Sequence, residues 1–213
     1  IGDKTTLLTL QNGLGNEELL ATSFGAERIL GGVAFLCSNR GKPGEVHHLG
    51  EGRIRLGGLT ERVDEIDQVI ADLFCAAGVP CEASDDLWRI RWEKLVWNIP
   101  FNGLCALTGK TVTDLLQQPS TRQLVASMMR EVISAANLQK IKTPIDDERF
   151  ITRMLEMSDA MTGYQPSMMI DRIEGRPLEL EAIYAIPLAR ATEAGSPMLQ
   201  VDMLYRLLTV GEP

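Results

Sequence analysis

Residues 91–107 carry polar and apolar side chains in a helical pattern. At about 100° per residue, Lys94, Asn98 and Asn102 fall at successive i,i+4 steps and form one polar stripe. Arg91 lies beside this stripe. Most of the helix is predicted to be buried, and the polar stripe with it, because apolar residues flank the stripe on both sides. These residues are Trp88, Trp92, Leu95 and Ile99 on one side and Trp97, Phe101 and Leu104 on the other.

A buried polar stripe needs partners. Burying a carboxamide without a hydrogen bond costs about 1–3 kcal/mol, and an ammonium costs more. The stripe is therefore predicted to face a wet cavity, a ligand or a network of partners, and a cleft is the simplest interpretation. The alternative is that Lys94 extends to solvent while the asparagines bond to nearby loop backbone. Pro100, within the same helix, is expected to bend its axis.

A strand, a glycine loop and a helix are predicted near the start of the chain. Residues 5–10 contain only threonine and leucine, residues 11–16 read Gln-Asn-Gly-Leu-Gly-Asn, and residues 17–24 have a helical composition. The loop has the order of a phosphate-binding turn but lacks the spacing of a dinucleotide fingerprint. The other interpretation is a tight turn in which Asn12 or Asn16 caps the helix.

The first 84 residues are predicted to belong to an α/β domain. Its further elements are a helix over 61–77 and strands over 29–39, 45–49, 53–56 and 79–82. The strand over 5–10 needs neighbours on both sides that these residues do not supply. Because the chain also begins at Ile1 rather than Met, we expect it to be a fragment whose α/β domain starts upstream.

Residues 85–213 are predicted to form a separate all-α domain. Helical patterns cover 87–108, 120–138, 146–160, 167–174, 178–195 and 198–209. Ser167 stands where one of these helices begins, and Glu179 follows Pro177 in the first turn of the next. Without further information, Ser167 is best explained as an N-cap and Glu179 as an acid attracted to a helix N-terminus.

Composition and charge limit the classes of partner. A net charge of −8 without a basic block argues against nucleic acid and anionic membranes. No apolar run reaches 18 residues, so no membrane-spanning segment is predicted. No metal site is expected, because the four cysteines form no Cys-x-x-Cys pair and His47 and His48 point to opposite faces of a strand. Reduced cysteines are typical of a cytoplasmic protein.

Three motifs in series resemble the signatures of one enzyme family. They are Asn-Gly-Leu-Gly at 12–15, Trp-x-Lys-Leu-x-x-Asn-x-x-x-Asn at 92–102, and Pro-Ser-Met-x-x-Asp with Gly-Arg-Pro-x-Glu within 166–179. Together they resemble the ketopantoate reductases (2-dehydropantoate 2-reductases), which are NADPH-dependent enzymes of pantothenate synthesis. The resemblance implies the C-terminal part of a Rossmann-type domain, whose first half is absent here, followed by a helical domain. The active site would lie in the cleft between the two.

The resemblance also implies roles for individual residues. Lys94 matches the catalytic lysine of the family. Asn12 matches the asparagine near the nicotinamide and the substrate, and Asn98 and Asn102 match its substrate-binding pair. The implied partners are NADPH and a small 2-keto acid, and a homodimer through the helical domain is a further expectation.

Two more residues receive roles in the same way, and one family residue is missing. Ser167 matches a ligand of the substrate carboxylate, and Glu179 matches an acid that contacts the cofactor. The family carries another substrate asparagine after the Lys94 helix, where this chain has Thr111 and Val112. The exact 2-keto acid is therefore open. So is the choice between NADPH and NADH, because the chain lacks the residues near the adenosine ribose.

The implied reaction fits the chemistry of the polar stripe. Hydride delivery to the C2 carbonyl of a 2-keto acid leaves negative charge on its oxygen, so a nearby cation or acid is needed there. Lys94 provides both the charge and a proton. Two alternatives stay open: another two-domain NAD(P)-dependent hydroxy-acid dehydrogenase, and a helical dimerisation module that has lost catalysis.

Overall fold

The computed structural model describes residues 1–2, 4–40, 42–60 and 65–210. The chain divides into two compact units, Ile1–Arg91 and Trp92–Pro213. The division lies within a long helix, a few residues after the predicted domain boundary at 84/85. The assignment of the two parts to a cofactor domain and a substrate domain stays a prediction.

The first unit contains a four-stranded sheet in the order β1-β2-β3-β4. Its strands are β1 (Leu7–Thr9), β2 (Ile29–Arg40), β3 (Val46–Gly58) and β4 (Cys81–Ala83). The outer pairs, β1 with β2 and β3 with β4, are parallel, whereas β2 and β3 are antiparallel. Such a mixed sheet with helices agrees with the predicted α/β class.

The prediction of two short strands over 45–49 and 53–56 is wrong. A single strand, β3, runs through both segments. The register between β2 and β3 shifts twice, between Phe35 and Leu36 and between Cys37 and Ser38. Glu51 and Gly52, opposite the first of these shifts, have positive φ angles of 58° and 137°. The glycine-containing segment that was predicted to separate two strands therefore forms a β-bulge within a single strand.

Among the described residues of this unit, the helices beside the sheet are α1 (Asn16–Phe24) and α2 (Ile66–Ala76). A short 3₁₀ turn, Ala26–Arg28, connects α1 to β2. The predicted helix over 61–77 begins later than expected among the described residues, and residues 61–64 of that prediction lie outside them. The fully buried residues of this unit include Leu14, Ile29, Leu30, Val33 and Leu56.

The second unit is helical, as predicted. Its helices are α3 (Leu87–Thr108, which begins in the first unit), α4 (Val112–Gln117), α5 (Pro119–Asn137), α6 (Asp147–Asp159), α7 (Ser167–Ile173), α8 (Ile186–Glu193) and α9 (Leu199–Thr209). The bounds of α3 are those predicted, and the helix continues through Pro100. Helix α4 was not predicted from the sequence; it has only six residues and is held by its cap. Among the described residues, no helix has the length and apolarity needed to cross a membrane.

The helix predicted over 178–195 differs from the structure at its start. Glu181–Ala185 forms a π turn, and α8 follows it. Pro187 gives a physical reason, because it has no amide hydrogen for the Ile183 carbonyl and its ring crowds that carbonyl in an α-helix. A wider turn relieves this crowding. Glu179 consequently precedes the helical segment instead of lying in its first turn.

Candidate active site

Asn12 lies in a tight loop between β1 and α1. Gly13 and Gly15 in this loop have φ angles of 82° and 95°, which favour glycine. Gly15 is the N-cap of α1, so the alternative interpretation that placed Asn12 or Asn16 at the N-cap is wrong. Asn16 is instead the first helical residue, and its side-chain amide donates a 3.0 Å hydrogen bond to the Asn12 carbonyl oxygen. The loop therefore holds its own shape while the Asn12 side chain is partly exposed.

Arg91 fixes this loop from the first turns of α3. Its Nη1 donates a 2.5 Å hydrogen bond to Gln11 O, and its Nη2 donates a 3.3 Å bond to Thr9 O. Its Nε donates a 2.7 Å bond to Glu17 Oε1, and Nη2 contacts the same oxygen. Both side chains of this ion pair are almost completely buried, at 1% and 0% exposure. One guanidinium thus joins the end of β1, the loop and the first turn of α1.

Gly31 allows Glu17 to reach this position. A Cβ at Gly31, on the neighbouring strand β2, would overlap Glu17 Oε1 and lie 2.8 Å from Leu87 Cδ1. The second oxygen of Glu17, Oε2, is buried and has no hydrogen bond among the described residues. The contact with Arg91 therefore compensates most of the cost of burying the Glu17 carboxylate. Losing either partner would leave a buried charge unpaired, which is costly.

The polar stripe of α3 is buried to different degrees along its length. Asn98 is 5% exposed and Asn102 is 2% exposed, whereas Lys94 is half-buried. The prediction of a buried stripe therefore holds for the two asparagines and only partly for the lysine. Within the described residues, Asn102 Oδ1 has no hydrogen-bond partner. A buried acceptor of this kind is suited to a ligand that brings a donor.

Two side-chain contacts hold α3 around the stripe. Trp97 Nε1 donates a 2.9 Å hydrogen bond to the hydroxyl of Ser158 on α6. On the other side, the hydroxyl of Tyr184, from the π turn, donates a 2.7 Å bond to the carbonyl oxygen of Ile99. The stripe is therefore set in a helix that is anchored by two of its neighbours within the helical unit.

Ser167 is placed differently from its predicted N-cap role. It is the first residue of α7, and Pro166, with an extended backbone (ψ 155°), is the N-cap. The side chain of Ser167 is exposed, and so is that of Glu179. The Glu179 carbonyl oxygen accepts a 3.2 Å hydrogen bond from the Ile183 amide, and Glu179 lies two residues before the π turn. No hydrogen bond among the described residues joins Ser167 to Asn98 or Asn102.

The positions where the family carries another asparagine serve to begin α4. Thr111 is its N-cap, and its hydroxyl and the Asp114 carboxylate form a reciprocal capping box. These hydrogen bonds lower the pKa of Asp114 below its ordinary value. Val112 is fully buried, and its amide donates to the Tyr164 carbonyl oxygen at 3.2 Å. Thr111 and Val112 therefore have structural roles that do not need a ligand.

The cysteines do not contribute an activated nucleophile to the stripe. Cys37, Cys75, Cys81 and Cys105 carry thiols rather than disulfides. Cys105 lies on α3, and burial, followed by the charge of Asp114, raises its pKa to about 12. A thiol with so high a pKa stays protonated near neutral pH and is a poor nucleophile.

Comparison with known proteins assigns the chain to a family. Residues 86–212 match the model of the C-terminal domain of ketopantoate reductase PanE/ApbA, and residues 1–61 match the ketopantoate reductase PanE/ApbA model. The chain belongs to the ketopantoate reductase family. The Arg91 anchor, the glycine loop and the stripe of α3 are thus features of a ketopantoate reductase chain.

Individual relatives agree with this assignment. A 2-dehydropantoate 2-reductase of Nostoc sp. is 40% identical over 211 residues, which are 95% of this chain and 64% of the relative. The crystal structure of 2-dehydropantoate 2-reductase from Geobacter metallireducens GS-15 is 57% identical, with a TM-score of 0.96 over 99% of this chain and 69% of that one. A D-mandelate dehydrogenase in complex with NADH is 25% identical, with a TM-score of 0.88 over 97% of this chain and 70% of the other. The chain therefore spans slightly less than two thirds of the length of the Nostoc relative.

The buried ion pair leads to a stability prediction. Replacing Arg91 with Met leaves the Glu17 carboxylate buried without its partner, so the free energy of unfolding should fall by roughly 3–5 kcal/mol. The free energy of unfolding of Arg91→Lys should lie between those of the wild type and Arg91→Met, because lysine keeps the charge but loses the planar set of donors. Urea denaturation of the full-length protein measures these differences.

Two controls make the result specific. The double change Arg91→Met with Glu17→Met should recover part of the loss, because no charge is then left buried. Arg122→Met removes a partner from an exposed pair with Asp159, whose side chains are 37% and 45% exposed, and should cost only about 0–1 kcal/mol. If Arg91→Met lowers the free energy of unfolding no more than Arg122→Met does, the role of Arg91 as the anchor of the glycine loop is contradicted.

Proposed function

We propose that the full-length protein reduces 2-dehydropantoate to its 2-hydroxy acid with NADPH. The observation that carries this proposal is the buried carboxamide of Asn102, whose Oδ1 has no hydrogen bond among the described residues. A buried acceptor favours a substrate that brings a donor group. 2-Dehydropantoate carries a hydroxyl group besides its carboxylate and keto groups, and this hydroxyl can donate to Asn102.

Lys94 is the residue proposed to act on the carbonyl. It stands one helical turn before Asn98 on α3 and is partly exposed. A cation next to the C2 oxygen stabilises the negative charge that develops there and can then supply the proton. The half-buried position strengthens this interaction relative to that of a fully solvated lysine.

Asn98, Asn102 and Ser167 are proposed to hold the substrate. Asn98 has a side-chain amide that can donate to the carbonyl or carboxylate oxygens, while Asn102 accepts from the hydroxyl. Ser167 is exposed at the start of α7 and has a hydroxyl that can donate to a carboxylate. Fixing the keto acid by several such contacts orients its C2 carbon and lowers the entropic part of the barrier.

The glycine loop suits the uncharged end of a nicotinamide cofactor. Glu18 lies in the first turn of α1, where its negative charge opposes a pyrophosphate, whereas the charge of Glu17 is neutralised by Arg91. The partly exposed Asn12 can instead hydrogen-bond the neutral nicotinamide carboxamide or the substrate. Glu179 can accept hydrogen bonds from donors of the same half of the cofactor. When bound, NADPH supplies the hydride.

A second candidate function is the reduction of a different 2-keto acid by a related dehydrogenase. Its support is the missing family asparagine, since Thr111 and Val112 serve the α4 cap instead. The D-mandelate dehydrogenase relative, named in complex with NADH, is an example of another substrate and cofactor on this fold. Initial rates with several 2-keto acids, each with NADPH and NADH, distinguish the two candidates, and a clear preference for 2-dehydropantoate would support the first.

A cytoplasmic location and a homodimer through the helical unit stay predictions. The four reduced cysteines support the cytoplasmic location, because thiols persist in a reducing compartment. A non-catalytic role for the helical unit is disfavoured by the buried Asn102 acceptor, which costs free energy without a ligand.

The lysine gives the sharpest test of the mechanism. Lys94→Gln keeps most of the side chain and a donor but removes the cation and the proton, so kcat for 2-dehydropantoate should fall at least about 100-fold. The thermal midpoint should hold or rise, because a half-buried ammonium is replaced by a neutral amide. Lys110→Gln removes an exposed lysine of the same unit and should keep normal turnover. Near-normal kcat in Lys94→Gln would remove the residue from the mechanism, and loss of the fold would make its role structural.

Ser167 and Glu179 should affect different kinetic constants. Ser167→Ala should chiefly raise KM for the keto acid, because it removes a proposed carboxylate donor. Glu179→Gln should chiefly raise KM for NADPH, because a carboxylate accepts hydrogen bonds more strongly than an amide does. Steady-state kinetics with each substrate varied in turn separate the two effects. If both variants shift only the thermal midpoint, the roles proposed for these residues are wrong.

A further inference from the structure

The hydroxyl of Tyr184 contacts the α3 backbone in the turn that carries both asparagines. It donates its 2.7 Å hydrogen bond to the carbonyl oxygen of Ile99, the residue after Asn98. The Tyr184 side chain is completely buried, so water does not compete for this bond. Burial also raises the pKa of Tyr184 above its ordinary value, and the hydroxyl therefore stays protonated as a donor.

Gly103 makes room for this contact. A Cβ at Gly103, the residue after Asn102, would overlap Tyr184 Oη and would lie 2.6 Å from Leu204 Cδ2. Any other residue at this position must therefore displace the hydroxyl or the end of the Leu204 side chain. The hydroxyl thus lies between two backbone positions, Ile99 and Gly103, that are one helical turn apart.

The π turn supplies the tyrosine. Tyr184 belongs to Glu181–Ala185, where each turn contains more residues than in an α-helix. The Ile186 amide bonds to the Glu181 carbonyl oxygen across this wider turn. Such turns are uncommon and occur often at functional sites. The local widening therefore determines how Tyr184 is presented to α3.

The Asn102 side chain needs support from its backbone. Its Oδ1 has no hydrogen bond among the described residues, so this oxygen is not held by a protein donor there. The helix backbone sets the position from which each asparagine side chain extends. A shift of the turn between Ile99 and Gly103 would move the side chains of Asn98 and Asn102 together.

We propose that Tyr184 is a positioning residue for the substrate site, whose hydroxyl fixes the α3 turn and thereby the directions of Asn98 and Asn102. This inference rests on the proposed function for its kinetic consequence. The contact itself lies within the helical unit and can be tested without activity.

The kinetic test uses two tyrosines that belong to one aromatic pair. Tyr184→Phe keeps the ring and removes only the hydroxyl, and KM for 2-dehydropantoate should rise roughly three- to tenfold, as expected for one lost hydrogen bond. KM for NADPH should stay within about twofold. Tyr205→Phe is the matched control, because the Tyr205 ring stacks on Tyr184 at 6.2 Å between centroids and the change leaves the bond to Ile99 intact. It should leave both constants unchanged.

A spectroscopic test is independent of catalysis. In the full-length protein labelled with [¹⁵N]asparagine, the side-chain amide resonances of Asn98 and Asn102 can be assigned from Asn98→Ser and Asn102→Ser. Tyr184→Phe should shift both resonances, and Tyr205→Phe should shift neither. If the wild-type protein fails to reduce 2-dehydropantoate, the proposed function is wrong, and these resonances still decide the role of Tyr184.

Gly103→Ala provides a second route to the same contact. It should displace the hydroxyl and shift the same two resonances, and adding Tyr184→Phe should cause little further change because both variants act on one contact. If the resonance shifts caused by Gly103→Ala and Tyr184→Phe add up in the double variant, the two substitutions act independently, and this would contradict a shared contact. If Tyr184→Phe lowers only the thermal midpoint and leaves KM and both resonances unchanged, the role of Tyr184 is purely structural and the proposal is overturned.

Discussion

The buried ion pair between Arg91 and Glu17 is the constraint on which the glycine loop depends. The guanidinium also donates to the carbonyl oxygens of Thr9 and Gln11, so one side chain sets the end of β1 and the start of α1. A buried pair of this kind contributes little net stability but is costly to break. The main effect of the pair is therefore the position that it imposes on the loop that contains Asn12, rather than a gain in stability.

The helix that carries Arg91 also carries the residues proposed for chemistry. Lys94 follows after three residues, and the backbone of the turn that holds Asn98 and Asn102 is contacted by Tyr184. Polar groups on this helix are thus held in place by neighbours that do not themselves contact substrate in the proposed mechanism. This arrangement agrees with the general requirement that a site be fixed before its ligand binds.

The sequence allowed the stripe to be predicted because a 3.6-residue period places Lys94, Asn98 and Asn102 on one face without any tertiary information. The partner of Arg91 could not be predicted in the same way. Glu17 is 74 residues away, and in the sequence it is indistinguishable from any acid in the first turn of a helix. The contact of Tyr184 with α3 was also missed, because Ile99 lies 85 residues away. Within the predicted helix over 178–195, only Pro187 gave a local signal of the π turn. The single strand β3 was divided in two since its bulge resembles a turn in composition.

The most direct test of the central claim is a crystal structure of the full-length protein with bound NADP⁺ and 2-dehydropantoate. The account predicts that Lys94 Nζ lies about 3 Å from the C2 keto oxygen, with Asn102 Oδ1 at hydrogen-bond distance from the substrate hydroxyl. It also predicts that Asn12 contacts the nicotinamide or the keto acid. A keto acid bound away from α3, or a Lys94 side chain directed away from the carbonyl, would contradict the account.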